Sequence, residues 1–466
     1  MPGTERPRVG AESAGVAGRP AFGRLATLAG VALLLVAALP SGAAAQPLPR
    51  VEGALTMDRA VELALDHSLK VKASAADARV MESMRKESLA SFWPQISANG
   101  YAVDQRMAPN VYTSAGSTMA RNYQVFDSDR NRDANVTAMY PLFSGGRDWY
   151  GYKAASRRAE AGREMLRATE VDVAMQARLD YIAAVREAEN LKVTDDLVRD
   201  IEERLRVTRQ TFEAGRVPRF YVLRDEAELA NARQMQAMAR SRAEQALVAL
   251  KTTLGLDLGS ELTLTDTLEV TPVTVSVEEA VREAADRHPE IRAAARQREA
   301  GEAEVRAAYG SYWPQVSLSY MYDWARFRDR NMPGEVRGGY SAGIVVTLPI
   351  FDGFMRENAV KTAKARRDRA VQAEGLARQQ IAKEVNQAAL MLAAAQKSVE
   401  ASRKGLEQAE EESRVIRERF ESGRGIQLEI LDAQVALTRA RFNAVNALAE
   451  YQSALAMWLR ATGRAR

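Results

Sequence analysis

The chain repeats itself, and this internal duplication constrains its fold more than any other feature. Three motifs return in the same order: "FWPQIS" at 92–97 as "YWPQVS" at 312–317, "YPLFSGG" at 140–146 as "LPIFDGF" at 348–354, and "FEAGRVPRFYVLRDEAELANAR" at 212–233 as "FESGRGIQLEILDAQVALTRAR" at 420–441. The last two pairs share an offset of 208 residues, and the third pair is identical at eight of 22 positions. A fixed offset over such a length indicates two copies of one structural unit. The sequence therefore predicts a fold built from two similar halves.

Each half reads as helix, strand, strand, long helix, turn and helix. We expect the first helices at 56–91 and 277–311, and the long helices, which contain no proline, at 148–211 and 356–419. Apolar residues such as Leu197, Ile201 and Leu205 recur at helical spacing on narrow, alanine-rich faces, which is typical of coiled-coil contacts. The motif "DRHPE" at 286–290 looks like a helix break. The predicted division is a signal peptide at 1–45, a first repeat at 46–255, a linker at 256–276 and a second repeat at 277–466.

The N-terminal segment is typical of a secretory signal. Arg19 and Arg24 stand before or at the start of the apolar stretch "LATLAGVALLLVAALP", and small residues after it offer a cleavage site near Ala45. The alternative is an uncleaved membrane anchor, for which the stretch is short. The chain has no cysteine, and its 65 basic and 61 acidic residues are mixed in sign. We therefore expect an exported protein with neither disulfides nor an N-terminal lipid, and without nucleic acid as a partner.

The predicted strands alternate between apolar and polar residues. In the second half, apolar residues occupy every second position: Val316, Leu318, Tyr320, Tyr322 and Trp324, then Tyr340, Ala342, Ile344, Val346 and Leu348. Strands of about ten residues with one apolar face and aromatic residues near their ends are typical of a transmembrane β-barrel. A soluble sheet packed on helices has the same period and stays open as an alternative. In the first half, the strand at 95–106 is less regular, and we expect a bulge near Gly100.

Four strands cannot close a barrel, because the smallest bacterial barrels have about eight. An open sheet edge in lipid leaves backbone groups without hydrogen-bond partners. Several copies of the chain must therefore contribute strands. Symmetry alone permits two copies or three.

With these motifs, the chain resembles the outer membrane factor family, the TolC-like outer membrane efflux proteins of Gram-negative bacteria. The resemblance rests on the two "WPQ" segments, the two strand ends at "YPLFSGG" and "LPIFDGF", and the two "F-x-x-G" turns, and it covers residues 55–463. It implies a mixed α and β membrane protein, a homotrimer with a twelve-stranded transmembrane barrel in the outer membrane and a coiled-coil helical tunnel in the periplasm. It also implies a passive channel of an efflux or type I secretion system, with a periplasmic adaptor and an inner-membrane RND or ABC transporter as partners. No cofactor, metal or catalytic activity is expected.

The resemblance gives the second turn a function. Glu429 and Asp432 lie three residues apart on one helix face and match the paired acidic positions that surround the closed periplasmic entrance of the family's channels. The first repeat has Tyr221 and Arg224 at the aligned positions. We expect a gate formed by the two acids and held closed by a tether; its candidates are Arg224, Tyr221, Arg216, Arg219 and Arg424. The alternative is that the two acids are ordinary solvated charges.

The same turns are candidates for adaptor docking. Gly215, Gly423, Leu223 and Leu431 are the residues predicted to form the docking tip. The alternative is that the glycines only end the helices and the leucines pack within the subunit. For the whole chain, the alternative function is that of a periplasmic coiled-coil adaptor or structural protein.

Overall fold

The computed structural model describes residues 48–104, 128–270, 273, 276–329, 336–422 and 424–464. The signal peptide predicted at 1–45 lies outside these ranges. Within them, no helix is both long and apolar enough to cross a lipid bilayer.

Helices make up most of the described chain. They are α1 Met57–His67, α2 Leu69–Ser88, α3 Arg147–Glu213, α4 Arg219–Thr253, α5 Val277–Arg287, α6 Pro289–Tyr309, α7 Met355–Glu421 and α8 Gln427–Ala461. The helices α3 and α7 each have 67 residues, which corresponds to about 100 Å. They extend the predicted long helices by one or two residues at each end. A proline-free, alanine-rich sequence makes this length possible.

The first helix of each half is broken, so the single helices predicted at 56–91 and 277–311 are wrong, whereas the helix break expected at the "DRHPE" motif is confirmed. In the second half the break lies in the "DRHPE" motif, where His288 has an extended backbone with ψ 127° and Pro289 begins the next helix. The residue before a proline is disfavoured in helical geometry, which explains this break. In the first half the break lies at Ser68, whose side chain accepts a hydrogen bond from the Lys70 N–H and so caps α2. No proline or glycine next to Ser68 indicates this break in the sequence.

The strands form two sheets. They are β1 Gly53–Leu55, β2 Gln95–Asp104, β3 Ser128–Phe143, β4 Leu262–Leu264, β5 Gln315–Asp329 and β6 Val336–Thr347. The short strands β1 and β4 pair in parallel, which joins the start of the first half to the linker. The other four form one antiparallel sheet in the order β2, β3, β5, β6. The bulge predicted near Gly100 is wrong, because β2 pairs with β3 without interruption and the register shifts instead between Pro141 and Phe143.

One face of the four-stranded sheet is apolar and exposed. Cross-strand neighbours such as Ile96, Ala138, Tyr320 and Ala342 lie in rows across all four strands. Ile96 is 73% exposed and Tyr320 is 42% exposed. Polar neighbours alternate with these rows, and Asn99 donates a hydrogen bond to Asn135 on the other face. An uncovered apolar face contradicts the alternative of a soluble sheet packed on helices and fits a sheet that faces lipid.

The sheet and the longer helices form a wall one layer thick, and the short helices α1 and α5 pack on α3 and α7. Below the sheet, α2 packs on α3, α3 on α6, and α6 on α7. Nearer the turns, α4 packs on α3, α3 on α8, and α8 on α7. At every level the layer therefore ends with β2, α2 or α4 on one side and with β6 or α7 on the other.

Each half has its own apolar core near the middle of the wall. Tyr181 is buried in one core, and its hydroxyl donates to the Leu55 carbonyl at 2.8 Å. Tyr451 and Trp458 belong to the other core. These cores lie where the short helices α1 and α5 pack on the long helices α3 and α7. The parts of the long helices nearer the turns are stabilised by packing of helix on helix.

A polar cluster connects α3, α6, α7 and α8 beside the second core. Arg460 donates to Asp172 at 2.9 Å and to Glu290 at 2.8 Å, and it also pairs with Glu384. His288 is 1% exposed, and its Nε2 has no hydrogen-bond partner in the described chain. Burial, together with the Arg460 charge, lowers the pKa of His288. Burial raises the pKa of Glu290, even though Arg460 opposes this shift.

Candidate gate at the helix tips

The first turn, between α3 and α4, closes with glycine in a left-handed conformation. Gly215 has φ +71°, and its N–H donates to the Phe212 carbonyl at 2.8 Å. The Arg216 N–H donates to the Thr211 carbonyl at 3.0 Å. This pattern satisfies the last carbonyls of the helix, and a side chain at Gly215 would be strained. Gly215 therefore has a sufficient structural reason to be present.

The second turn, between α7 and α8, is built in a similar way. The Arg424 N–H donates to the Arg419 carbonyl at 2.9 Å. A side chain at Gly425 would come within 3.0 Å of the Phe420 backbone nitrogen, so the turn is tight at this point. Gly423, one of the residues predicted for the docking tip, lies outside the described residues.

The two acids of the candidate gate differ in their surroundings. Glu429 lies in the first turn of α8 and is half-buried, and its Oε2 is buried with no hydrogen-bond partner in the described chain. Asp432, one helical turn further, is exposed. A shielded carboxylate oxygen without a partner is costly. Glu429 is therefore distinct from the ordinary solvated charges of these helices.

The tether candidates lie at the same end of the wall. Arg216, Arg219, Arg224 and Arg424 are exposed, and Tyr221 is half-buried with its ring stacked on Phe220 at a centroid distance of 4.0 Å. In the described part of the chain, none of the four arginines forms an ion pair or a side-chain hydrogen bond. A tether from any of them to an acid must therefore reach another chain or form in another state.

A buried carboxylate that the sequence analysis missed joins the two turns. Asp225 is 0% exposed and accepts hydrogen bonds from Thr208 at 2.7 Å, Arg204 at 3.2 Å and Gln427 at 3.3 Å. Arg204 also pairs with Glu228 at 3.0 Å. The helices α3 and α4 form the first helical hairpin, and α7 and α8 form the second. Thr208 and Arg204 lie on α3 and Gln427 begins α8, so the Asp225 carboxylate connects the first hairpin to the second.

A readable signal for Asp225 exists in the sequence. The buried positions of α4 near the turn, Val222, Asp225, Leu229 and Ala232, follow each other at spacings of three and four residues. A charged residue at such a position faces the neighbouring helix and needs a partner there. Arg224, one residue earlier, is exposed because adjacent residues of a helix lie about 100° apart around its axis, which places Arg224 outside the buried stripe.

The two leucines predicted for docking have opposite surroundings. Leu223 is 52% exposed, and Leu431 is 4% exposed. Leu431 thus packs within the chain, as the alternative interpretation of the turns held, and it offers no surface to an adaptor. A cavity of about 330 Å³ lies between α3, α4 and α8 farther from the turns, and Leu197, Met235 and Val435 are among its lining residues.

Comparison with known proteins identifies the family. A family model described as "Outer membrane efflux protein" matches residues 60–256 and 280–464. Protein CyaE of Bordetella pertussis is 27% identical over 361 residues, which are 75% of each chain. Outer membrane protein OprJ of Pseudomonas aeruginosa is 25% identical over 418 residues, which are 87% of this chain and 83% of that protein.

A solved structure has the same fold. The CmeC outer membrane channel of Campylobacter jejuni aligns with a TM-score of 0.75 at 16% identity and covers 87% of this chain and 85% of its own. The helical tunnel and strands predicted from the sequence are therefore confirmed as the fold of an outer membrane channel, located in the outer membrane with its helices in the periplasm. The alternative of a periplasmic adaptor is wrong. The chain belongs to the outer membrane efflux protein family.

Proposed function

We propose that three copies of this chain form a passive exit duct through the outer membrane, gated at the turns between the long helices. The observation that carries the proposal is the single-layer wall, which, among the described residues, ends in an unpaired strand or helix on each side. Such a wall buries its edges only by joining copies of itself. Three copies of a four-stranded sheet give twelve strands, enough to close a barrel around a water-filled channel.

The duct takes its substrate from a periplasmic adaptor and an inner-membrane transporter of the RND or ABC class. Nothing in the sequence resembles a glycine-rich phosphate loop, so the energy for transport comes from the partner pump. The first 45 residues direct export and are removed, and the two repeats at 46–255 and 277–466 form the mature wall. N-terminal sequencing of the exported protein tests this division, and an N-terminus at Met1 contradicts it.

The gate consists of Glu429 and Asp432. Three copies place six carboxylates around one axis at the periplasmic entrance, where such a ring attracts cations and repels anions. The unpartnered, buried oxygen of Glu429 supports this assignment, because its missing partner can come from a neighbouring chain. Arg224 is the first candidate for that partner, since it is exposed and occupies the position aligned with Asp432. Arg216, Arg219, Arg424 and the hydroxyl of Tyr221 are the further candidates.

Opening requires one hairpin of each subunit to move away from the other. The hydrogen bond from Gln427 to Asp225 crosses between the hairpins and breaks in this movement. The bonds from Arg204 and Thr208 stay intact, because their residues lie on the same hairpin as Asp225. Asp225 therefore keeps its charge paired in both states, and only the bond between hairpins changes.

Ion selectivity in planar bilayers tests the gate. We expect the double change Glu429→Gln and Asp432→Asn to lower the cation selectivity of single channels, and Arg224→Ala to raise their conductance. The matched control is Glu410→Gln with Glu412→Gln, because both residues are exposed on α7. Unchanged selectivity in the gate variant contradicts the gate. A wild-type protein that forms no channels contradicts the duct itself.

The adaptor docks on the exposed part of the turns, at Gly215 and Leu223. Gly423, which lies outside the described residues, is the remaining candidate for this docking tip. We expect Leu223→Asp to reduce cross-linking to the adaptor while leaving the trimer intact, because this side chain is exposed. Leu431→Asp is the matched comparison and should reduce the amount of folded trimer, because it places a charge in a buried site. Normal cross-linking of the Leu223→Asp variant to the adaptor would contradict this docking site.

A further inference from the structure

A groove lined by both hairpins lies farther from the turns than the candidate gate. Its volume is about 330 Å³, and its walls come from α3, α4 and α8. The apolar part of its lining consists of Leu197, Ile201, Met235, Val435 and Phe442. Pockets of this size with mostly apolar walls and a few polar groups are typical of sites for small organic molecules. A methionine in the wall adapts to ligands of different shape.

The groove opens on the side of α8 that carries Asp432. Val435 and Arg439 follow Asp432 by three and seven residues, and this spacing places the three residues along one side of a helix. Val435 is 62% exposed and Met235 is 44% exposed, so the groove is open to solvent. With the ring of acids as proposed above, this side of α8 faces the axis of the assembly. A molecule inside the duct therefore reaches the groove without passing the ring, and the inference rests on the proposed function for this orientation.

The unpaired charge in the groove is positive. Arg439 is an exposed lining residue, and within the described part of the chain it forms no ion pair or side-chain hydrogen bond. Glu228, the acid that lines the groove, is already paired with Arg204 at 3.0 Å. An apolar groove with an unpaired guanidinium in its lining is complementary to a molecule with an apolar body and a carboxylate or sulfonate group.

We infer that this groove binds an amphipathic organic anion and that the bound molecule holds the gate closed. Leu197 and Met235 belong to the first hairpin, and Val435 and Arg439 belong to the second. Opening moves the hairpins apart and divides the lining, so the complete groove exists only in the closed state. A ligand that binds one state better than the other shifts the equilibrium towards the state it binds.

Binding of two matched probes to the intact detergent-solubilised trimer tests the site. The probes are naphthalenesulfonate and the neutral naphthalenemethanol, measured by ligand-observed NMR against a detergent blank. We expect the sulfonate to bind with a Kd on the order of 1 mM or tighter, and the alcohol about tenfold more weakly, because it lacks the charge-assisted contact to Arg439. Arg439→Gln should weaken binding of the sulfonate about tenfold and leave the alcohol unchanged, and Arg439→Lys should restore part of the difference. Val435→Gln should weaken binding of both probes.

The matched controls are Arg403→Gln and Val415→Gln, because both residues are exposed on α7 and lie outside the lining of the groove. An equal loss of binding in these controls overturns the site. Equal affinities of the two probes for the wild type, or an unchanged affinity of the sulfonate for the Arg439→Gln variant, overturn its preference for anions.

Single-channel recording tests the effect on the gate, with the probe added on the barrel side. At about ten times its Kd, naphthalenesulfonate should reduce the ratio of open to closed time about elevenfold for each occupied groove. A reduced current at an unchanged ratio indicates block of the duct and overturns the inference. Wild-type channels that do not respond to the probe refute the inference alone, whereas a trimer that binds the probe and forms no channels refutes the duct alone.

Discussion

Replacing Gln427 by leucine should shift the channel towards its open state. The amide Nε2 of Gln427 donates to Oδ1 of Asp225 over 3.3 Å, which is the one hydrogen bond to this buried carboxylate that crosses between hairpins. Leucine has a similar size and favours helix, and it leaves the bonds from Arg204 and Thr208 in place. The variant therefore removes the contact without exposing or unpairing the buried charge.

The expected magnitude follows from the geometry. A hydrogen bond at the long end of the usual range contributes about 1 kcal/mol net, even with a charged acceptor. If the three subunits open together, three bonds are lost, and the opening equilibrium constant changes by about 3 kcal/mol or roughly 150-fold. If each subunit opens independently, the change is about fivefold for each subunit, and intermediate conductance levels appear.

Single-channel recording measures this shift as the ratio of open to closed time. The matched control is Gln408→Leu, because Gln408 is exposed on α7 and has no side-chain partner in the described chain. A shift below about twofold, or an equal shift in the control, would refute the view that this bond holds the hairpins together.

Two further predictions concern the middle of the wall and the junction with the barrel. Because the folded chain lowers the pKa of His288, the unfolded chain binds the extra proton first as pH falls below about 6.5, and stability is lost there. His288→Gln should remove up to about 1.4 kcal/mol per pH unit of this loss, measured by the dissociation temperature of the trimer, and an equal effect of His67→Gln would contradict the assignment. Gly145 has φ +65°, and a side chain there would lie 2.3 Å from the Gly310 carbonyl oxygen, so Gly145→Ala should prevent trimer assembly. Gly151→Ala, where a side chain meets nothing within 4 Å, should leave the yield of trimers on gels unchanged.

The long helices were predictable and the breaks in the short ones were only partly so. The sequences of α3 and α7 contain no proline and have narrow apolar faces at helical spacing, so a long helix is the regular structure that fits them. The break at His288 has a local cause in Pro289, so the sequence indicates it. The break at Ser68 is stabilised by the capping hydrogen bond of its side chain, which is only a small gain over an uninterrupted helix. Its outcome depends on the packing of α1 into the core around Tyr181, and that packing is not a local property.

The candidate site was predictable in position and not in its internal contacts. The repeat placed Glu429 and Asp432 after a turn, because the alignment of the two copies shows where the turn lies without any structure. Asp225 was missed because the chain carries charges throughout, and its burial depends on which side of α4 meets α3. The only feature that distinguishes Asp225 from its exposed neighbour Arg224 is its spacing of three and four residues from the buried Val222 and Leu229.

Leu223 and Leu431 show why a duplicated sequence does not give a duplicated site. The two leucines occupy aligned positions, 208 residues apart, yet one is 52% exposed and the other 4% exposed. The reason is that α8 packs between α3 and α7, whereas α4 packs on α3 and ends the layer. In a closed assembly the free side of α4 meets a neighbouring copy or a partner protein. Arg224 lies at the start of that helix, and Glu429 lies on the enclosed helix with an oxygen that lacks a partner within the chain. We therefore propose that the gate is completed only in the assembly, where the oxygen of Glu429 meets a partner from a neighbouring copy.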